Sequence, residues 1–169
     1  MKDVYLGDLI FLRGKRGAAI GARIRTRRWN DPLEQGDGHR LLVCRYRPRG
    51  VPKDRETWNS WMPRLGPSRE LHAEYYGKRG PPIPWVEYRK RYLGEMREQR
   101  KTVAAVSAGV AAGETVTLLC SSACADPARC HRTLLKGLII AMVPPPFDLS
   151  KPERAHRTQA TNGPRRHHS

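Results

Sequence analysis

TVTLLCSSACADPARCHRTLLKG, residues 115–137, decides how the rest of the chain is read. Its apolar start (Val116, Leu118, Leu119) suits a buried strand, and a short polar loop follows. Asp126-Pro127 then stand as N-cap and first position of a helix running from about residue 127 to 142. Cys130, His131 and Arg132 would lie on the first turns of that helix. Helix N-termini favour anions through free N–H groups and the macrodipole. A thiol there, beside cationic groups, loses its proton more readily and becomes nucleophilic. Cys130, His131 and Arg132 are therefore the candidate catalytic residues. Adjacent helical residues diverge by about 100°, so a direct Cys130–His131 pair is not expected.

Working outward, HRLLVCRYRP (39–48) begins with the apolar run of a buried parallel strand and stops at Pro48-Arg49-Gly50. IGARIRTR (20–27) alternates Ile20, Ala22 and Ile24 with other residues, a strand signal. NDPLEQGDG (30–38) is a loop by its Asn, Asp, Pro and Gly content. A short helix is expected from Asp54, carrying Trp58, Trp61 and Met62 and ended by Pro63. SRELHAEYYG (68–77) predicts a second helix, closed by Gly77. A long third helix starts near Trp85, with a stripe of Trp85, Tyr88, Tyr92, Met96, Val103, Val106 and Val110.

Strands alternating with helices predict a three-layer α/β fold with a mostly parallel sheet and flanking helices. The expected organisation is a basic N-terminal extension (1–19, with Val4–Leu12 as strand or short helix), a domain over 20–143 and a disordered basic tail over 144–169. In such sheets ligands sit beyond the carboxyl ends of the strands. Two loops qualify, after Cys44 and after Cys120. Their anion-binding candidates are Arg45, Arg47 and Arg49 with Cys44 on one loop, and Ser121, Ser122, Asp126 and Arg129 on the other. Arg45 and Arg47 alternate along a strand and so share a face, and arginine makes bidentate contacts to phosphate. Trp61, Trp85, Tyr88 and Tyr92 are expected in the core, with Trp29 and Trp58 exposed as possible stacking platforms.

Thirty-two Lys and Arg face sixteen Asp and Glu, a formal charge of +16 over 169 residues. That balance points to an anionic partner, a nucleotide or nucleic acid. No apolar run approaches the roughly 20 residues of a membrane span and no signal peptide is read, so the expectation is a cytoplasmic protein without membrane contact. The four cysteines are Cys44, Cys120, Cys124 and Cys130. Cys120, Cys124 and Cys130 are weak candidates as metal ligands, because their spacing lacks the paired C-x2-C of zinc sites. No cofactor is expected, with a metal as the minor alternative.

Several motifs in order resemble a known family. HRLLVCRYRPRGV is similar to a hydrophobic strand followed by D-R-x-W-P-R-G. WMPRLGPSRELHAEYYG and WVEYRKRYLGEM are similar to W-x-x-x-L-x-P-S-x-x-L and W-x-x-F-x-x-x-Y. LLCSSACADPARCHRTLL resembles L-L-C-x-E-x-D-P-x-x-C-H-R. Over roughly residues 20–142 the chain is thus identified as resembling the domain of unknown function (DUF) 488 family, in its YeaO-like branch. The resemblance implies a three-layer α/β fold and leaves the biochemical role open. Two departures stand out: Cys44 replaces the acidic residue often found at the strand end, and no glutamate precedes Asp126.

The functional expectation is binding of, or action on, a nucleotide or nucleic acid in a basic pocket at the strand ends. The alternatives are a non-catalytic nucleic-acid-binding module and a cysteine-based metal or redox protein.

Overall fold

In the computed structural model, residues 15–143 are described; the expected tail, the extension before Lys15 and the element at Val4–Leu12 lie outside them. The elements are α1 (Lys15–Ala22), β1 (Ile24–Arg28), β2 (His39–Leu42), β3 (Ser60–Trp61), α2 (Arg69–Tyr75), α3 (Trp85–Glu98), α4 (Arg100–Ala111), β4 (Val116–Cys120) and α5 (His131–Ala141). The four strands form one sheet in the order β1-β4-β2-β3, and each neighbouring pair is parallel. This is the expected α/β class with helices flanking a parallel sheet.

β4 lies between β1 and β2 and is buried along its whole length, which is why its sequence reads as an uninterrupted apolar run. Alternation divides the sheet into two faces. Ile24, Leu41, Val43, Val116 and Leu118 join Tyr92, Met96, Val103, Leu135 and Ile139 of the helices in the main core. The other face carries Leu42, Leu119 and Trp58 with Cys44, Cys120 and Cys130.

Next to that smaller cluster a carboxylate covers the opposite half of the same face. Asp37, 4% exposed, meets Arg40 from β2 in a buried ion pair and lies 3.5 Å from both Arg25 and Arg27 of β1. Its carbonyl accepts a 2.6 Å hydrogen bond from Thr117 of β4. One loop residue therefore ties three strands. Arg40 spends its other donors on the carbonyls of Thr57 (2.6 Å) and Asp31 (3.2 Å), so both long loops beneath the sheet hang from it. Gly38 lets the loop pass close: at φ +62°, a Cβ there would stand 2.1 Å from the Thr115 carbonyl oxygen.

Five expectations are corrected. Residues 20–22 are the end of helix α1, and the strand begins at Ile24. Ile20 and Ile24 are four apart, a spacing that also fits a helix turning inward, and Ile20 is buried from the helical side. The tryptophan segment is no helix: a short 3-10 turn at Lys53–Arg55 leads to edge strand β3. Its tryptophans exchange roles. Trp58 is 7% exposed, edge-on to Trp29 at 6.0 Å, whereas Trp61 is 39% exposed and donates its ring N–H to the Cys44 carbonyl at 2.9 Å. The long helix divides at Gln99 (φ −88°, ψ 13°), with no glycine or proline there, so that α3 packs on α2 and α4 on α5. Finally, Asp126 and Pro127 open a 3-10 turn, Pro127–Arg129, and α5 itself starts at His131.

Burial raises the Asp37 carboxyl pKa, but hydrogen bonds from the Glu34 N–H and the Arg40 guanidinium outweigh it and the net shift is downward. A carboxyl more acidic when folded stabilises the fold above its unfolded pKa of about 4, and that stability is lost as the pH falls through its folded value. Asp37→Ala should cost about 3–5 kcal/mol, because it leaves Arg40 buried and unpaired. Urea unfolding at pH 7 and pH 3 checks both parts: the penalty should be large at pH 7 and smaller at pH 3.

Candidate functional site

Because the sheet is parallel, all four strands end on one rim. The segments leaving them meet in a cleft of about 360 Å³. Trp29 comes from the end of β1, Cys44 to Arg49 from β2, Pro67 from beyond β3, and Ser121, Ser122 and Cys124 from β4. Helix α2 supplies His72 and Tyr76 as a further wall, and Tyr88, Cys120 and His131 reach the cleft from the interior. The two loops singled out in the sequence thus share one rim.

Gly66 is what allows the β2 segment to take its course. A Cβ at this position would come within 2.7 Å of both the Val43 carbonyl oxygen and the Arg45 nitrogen, so two backbone segments touch there. Arg45 uses its Nε on the Pro67 carbonyl, which anchors the side chain beside the cleft. Arg47 pairs with Glu56, donates to the Val51 carbonyl at 3.1 Å and lies 5.7 Å over the Trp58 ring. Arg49 is exposed at the mouth. No carboxylate lines the cleft among the described residues.

The aromatic wall comes from ELHAEYYG. His72 contacts Tyr76 at 4.7 Å and Tyr46 at 5.2 Å between ring centroids, and Tyr46 and Tyr76 are about half exposed. The Nδ1 of His72 is buried without a partner among the described residues, and burial lowers the pKa of the ring. Tyr46 and His72 were missed in the sequence, and Tyr76 was one of several aromatics there without a preferred place. The available signal was the spacing of His72 and Tyr76, four apart on one helix face.

At the cleft floor the sulfurs of Cys120, Cys124 and Cys130 lie within 4.8 Å of one another, with Cys120 and Cys124 3.3 Å apart. Three cysteines thus cluster within metal-binding distance. Cys120 and Cys130 are each 2% exposed, and Cys124 is the half-buried member on the cleft. Hydrogen bonds from Cys120 and then Cys130 hold Cys124 well below the usual thiol range, against the opposing effect of burial, and the Tyr76 hydroxyl at 3.8 Å adds to them. The same hydrogen bonds drive Cys130 upward, and Cys124 is the main cause of the upward shift at Cys120. Cys124 is therefore the favoured thiolate of the group.

His131, 6% exposed, has its Nε2 2.9 Å from the Val43 carbonyl oxygen. A carbonyl only accepts, so Nε2 carries the proton and Nδ1 offers a lone pair. Burial lowers the ring pKa; Nδ1 of the neutral ring lies 3.5 Å from the Tyr88 hydroxyl, and Cys120 Sγ lies 3.9 Å from both ring nitrogens.

The expected site residues therefore divide. Cys44, Arg45, Arg47, Arg49, Ser121, Ser122 and His131 line the cleft. Cys130 is the residue preceding α5, not part of its first turn, and its sulfur lies in the buried thiol group behind the cleft. Arg132 is turned to the protein: it donates to the Arg27 carbonyl at 2.8 Å and the Cys124 carbonyl at 3.2 Å. Asp126 is exposed and accepts the Ala128 N–H at 2.8 Å, while Arg129 is exposed on the same turn; neither lines the cleft.

Comparison with known proteins adds the family. A family model described as the active DUF488-N3 subclade matches residues 24–142, which takes in β1 through α5 and every loop of the cleft. The uncharacterized protein YeaO of Escherichia coli K12 is 32% identical over 99 residues, 59% of this chain and 83% of that protein. The uncharacterized protein Rv3073c of Mycobacterium tuberculosis H37Rv is 32% identical over 76 residues, 45% of this chain and 62% of that protein. No solved structure matches. The motifs that suggested the resemblance fall inside the matched span, and the chain belongs to the DUF488 family.

Proposed function

We propose that the cleft binds a nucleotide, free or within a nucleic acid, with its phosphate at Arg45 and Arg49 and its base against Tyr46, His72 and Tyr76. One observation carries this reading: three arginines line a cleft with no carboxylate among its described residues, and an aromatic wall faces the same space. Arginine recognises phosphate through its planar fork, and exposed aromatic faces stack on any base. A volume of about 360 Å³ suits a mononucleotide-sized ligand. The net charge of +16 favours approach of such anions over long range. Arg47, already paired with Glu56, orients the loop more than it contacts the ligand. Cys130, His131 and Arg132 belong to the floor and its supports, and a reaction on the bound ligand would take place where Cys124 opens onto the cleft.

Titration with mononucleotides and short oligonucleotides at low salt tests the reading. The double variant Arg45→Ala/Arg49→Ala should weaken mononucleotide binding at least ~10-fold, as loss of charge-assisted hydrogen bonds implies. The salt dependence of oligonucleotide affinity should fall by about one unit of slope per arginine that contacts phosphate. Oligonucleotide binding that persists in the double variant, with no mononucleotide binding by the wild type, would favour the non-catalytic module. No binding of either ligand by the wild-type protein removes the proposal.

A second outcome concerns the wall alone. Tyr76→Ala should weaken binding of a nucleotide while leaving affinity for inorganic phosphate unchanged, since each stacked base contributes about 1–3 kcal/mol. Isothermal titration with the two ligands separates the contributions.

A further inference from the structure

We propose that Cys120, Cys124 and Cys130 bind one thiophilic divalent cation of the zinc class at the floor of the cleft. The inference is independent of nucleotide binding and stands on geometry. Three sulfurs from the end of β4, the following loop and the residue before α5 converge within 4.8 Å. Tetrahedral zinc–thiolate bonds of about 2.3 Å set sulfur–sulfur separations of ~3.8 Å, between the 3.3 Å of Cys120–Cys124 and the 4.8 Å that bounds the group. Two of the three thiols are almost fully enclosed, so they are poorly placed to attack a ligand in the cleft but well placed to hold an ion from behind.

The surroundings match what such an ion needs. The His131 ring lies beside the group, with both ring nitrogens 3.9 Å from Cys120 Sγ and its Nε2–H already fixed on the Val43 carbonyl. That is the outer hydrogen bond by which metal-binding imidazoles are oriented. A centre of three thiolates and a divalent cation carries one net negative charge. Arg132, 4% exposed, supplies positive charge beside it: one guanidinium nitrogen holds the Cys124 carbonyl, and its Nε has no partner among the described residues. Cys120 and Cys124 both line the cleft, Cys124 as the more exposed of the two, so a cation held there would share a boundary with the bound ligand. On binding, each of the three sulfurs bonds the cation as a thiolate, and the thiol protons of the group pass to solvent as the sulfur–metal bonds form.

The experiment is a titration of the full chain, freshly reduced and freed of metal, with Co²⁺ and then Zn²⁺. The expected result is one equivalent of Co²⁺ bound, with thiolate-to-cobalt charge-transfer absorption and the intense visible bands of a tetrahedral site, all abolished by Zn²⁺. Cys124→Ser should weaken binding by more than the ~10–100-fold that loss of an outer partner of a metal ligand costs. Cys130→Ser should weaken it likewise. If the serine variants fail to fold, wild-type protein is decisive by itself: one equivalent of Zn²⁺ should raise its melting temperature and protect three thiols from alkylation. Reduced protein that gives no cobalt–thiolate absorption and no rise in melting temperature overturns the proposal. So does a Co²⁺ spectrum that survives Cys124→Ser. Arg45→Ala/Arg49→Ala should bind Co²⁺ as the wild type does, so failure of the nucleotide reading and failure of this one give different results.

Discussion

The buried pair of Asp37 and Arg40 is the constraint on which the rest of the structure depends. An ion pair this enclosed costs desolvation on both sides, and hydrogen bonds must satisfy what the pair itself leaves over. Here they do: the carboxylate takes the Glu34 N–H and approaches two further arginines, and the guanidinium takes carbonyls from two loops. The consequence is positional. β1, β2 and β4 are tied to a single residue near their amino ends, so their carboxyl ends emerge in a fixed arrangement at the other rim. The polar half of the face holds the strands, and the half bearing Trp58 and the cysteines abuts the cleft.

The cleft follows from three simple facts about that rim. Parallel strands deliver their following loops to one side. The loop after β2 is rich in arginine, and the loop after β4 brings small polar residues and a thiol. α2 then closes the space with aromatic rings. Its first turn is capped by the Ser68 hydroxyl, which accepts the Leu71 N–H at 3.1 Å, so the helix starts at a defined point and its face is set.

What the sequence disclosed was the part governed by local rules. β4 announced itself as an apolar run because a central parallel strand is buried on both faces, and α2 showed both its serine cap and its closing glycine. The placement of a site beyond Cys44 and Cys120 needed only the parallel-sheet rule. What stayed hidden was set by tertiary contact. Nothing in the residues around Gln99 interrupts a helix; the break lets α3 reach both α2 and α5 while α4 packs on α5. Trp58 and Trp61 exchanged roles because a spacing of three can be read as one helical turn, while the chain there is extended and paired with β2. Convergence of three thiols could not be read from their spacing, since it depends on the 3-10 turn that brings Cys130 back toward the end of β4. His72 was passed over because nothing in the sequence says which helix face will meet a rim of loops.

The way α2 is fastened carries one more consequence. The Ser68 N–H donates to the Glu95 carboxylate at 2.8 Å, and Glu74 pairs with Arg91, so both ends of α2 are lashed to α3. α3 in turn rests on the interior through the Tyr92 hydroxyl on the Leu65 carbonyl, at 2.8 Å, and through Tyr88 against His131. The part of the aromatic wall made by His72 and Tyr76 therefore travels with a neighbouring helix, whereas Tyr46 sits on the arginine-bearing loop after β2. The aperture between the α2 wall and the arginine loop is a property of how α3 is seated, and substitutions at its underside would widen or narrow the cleft.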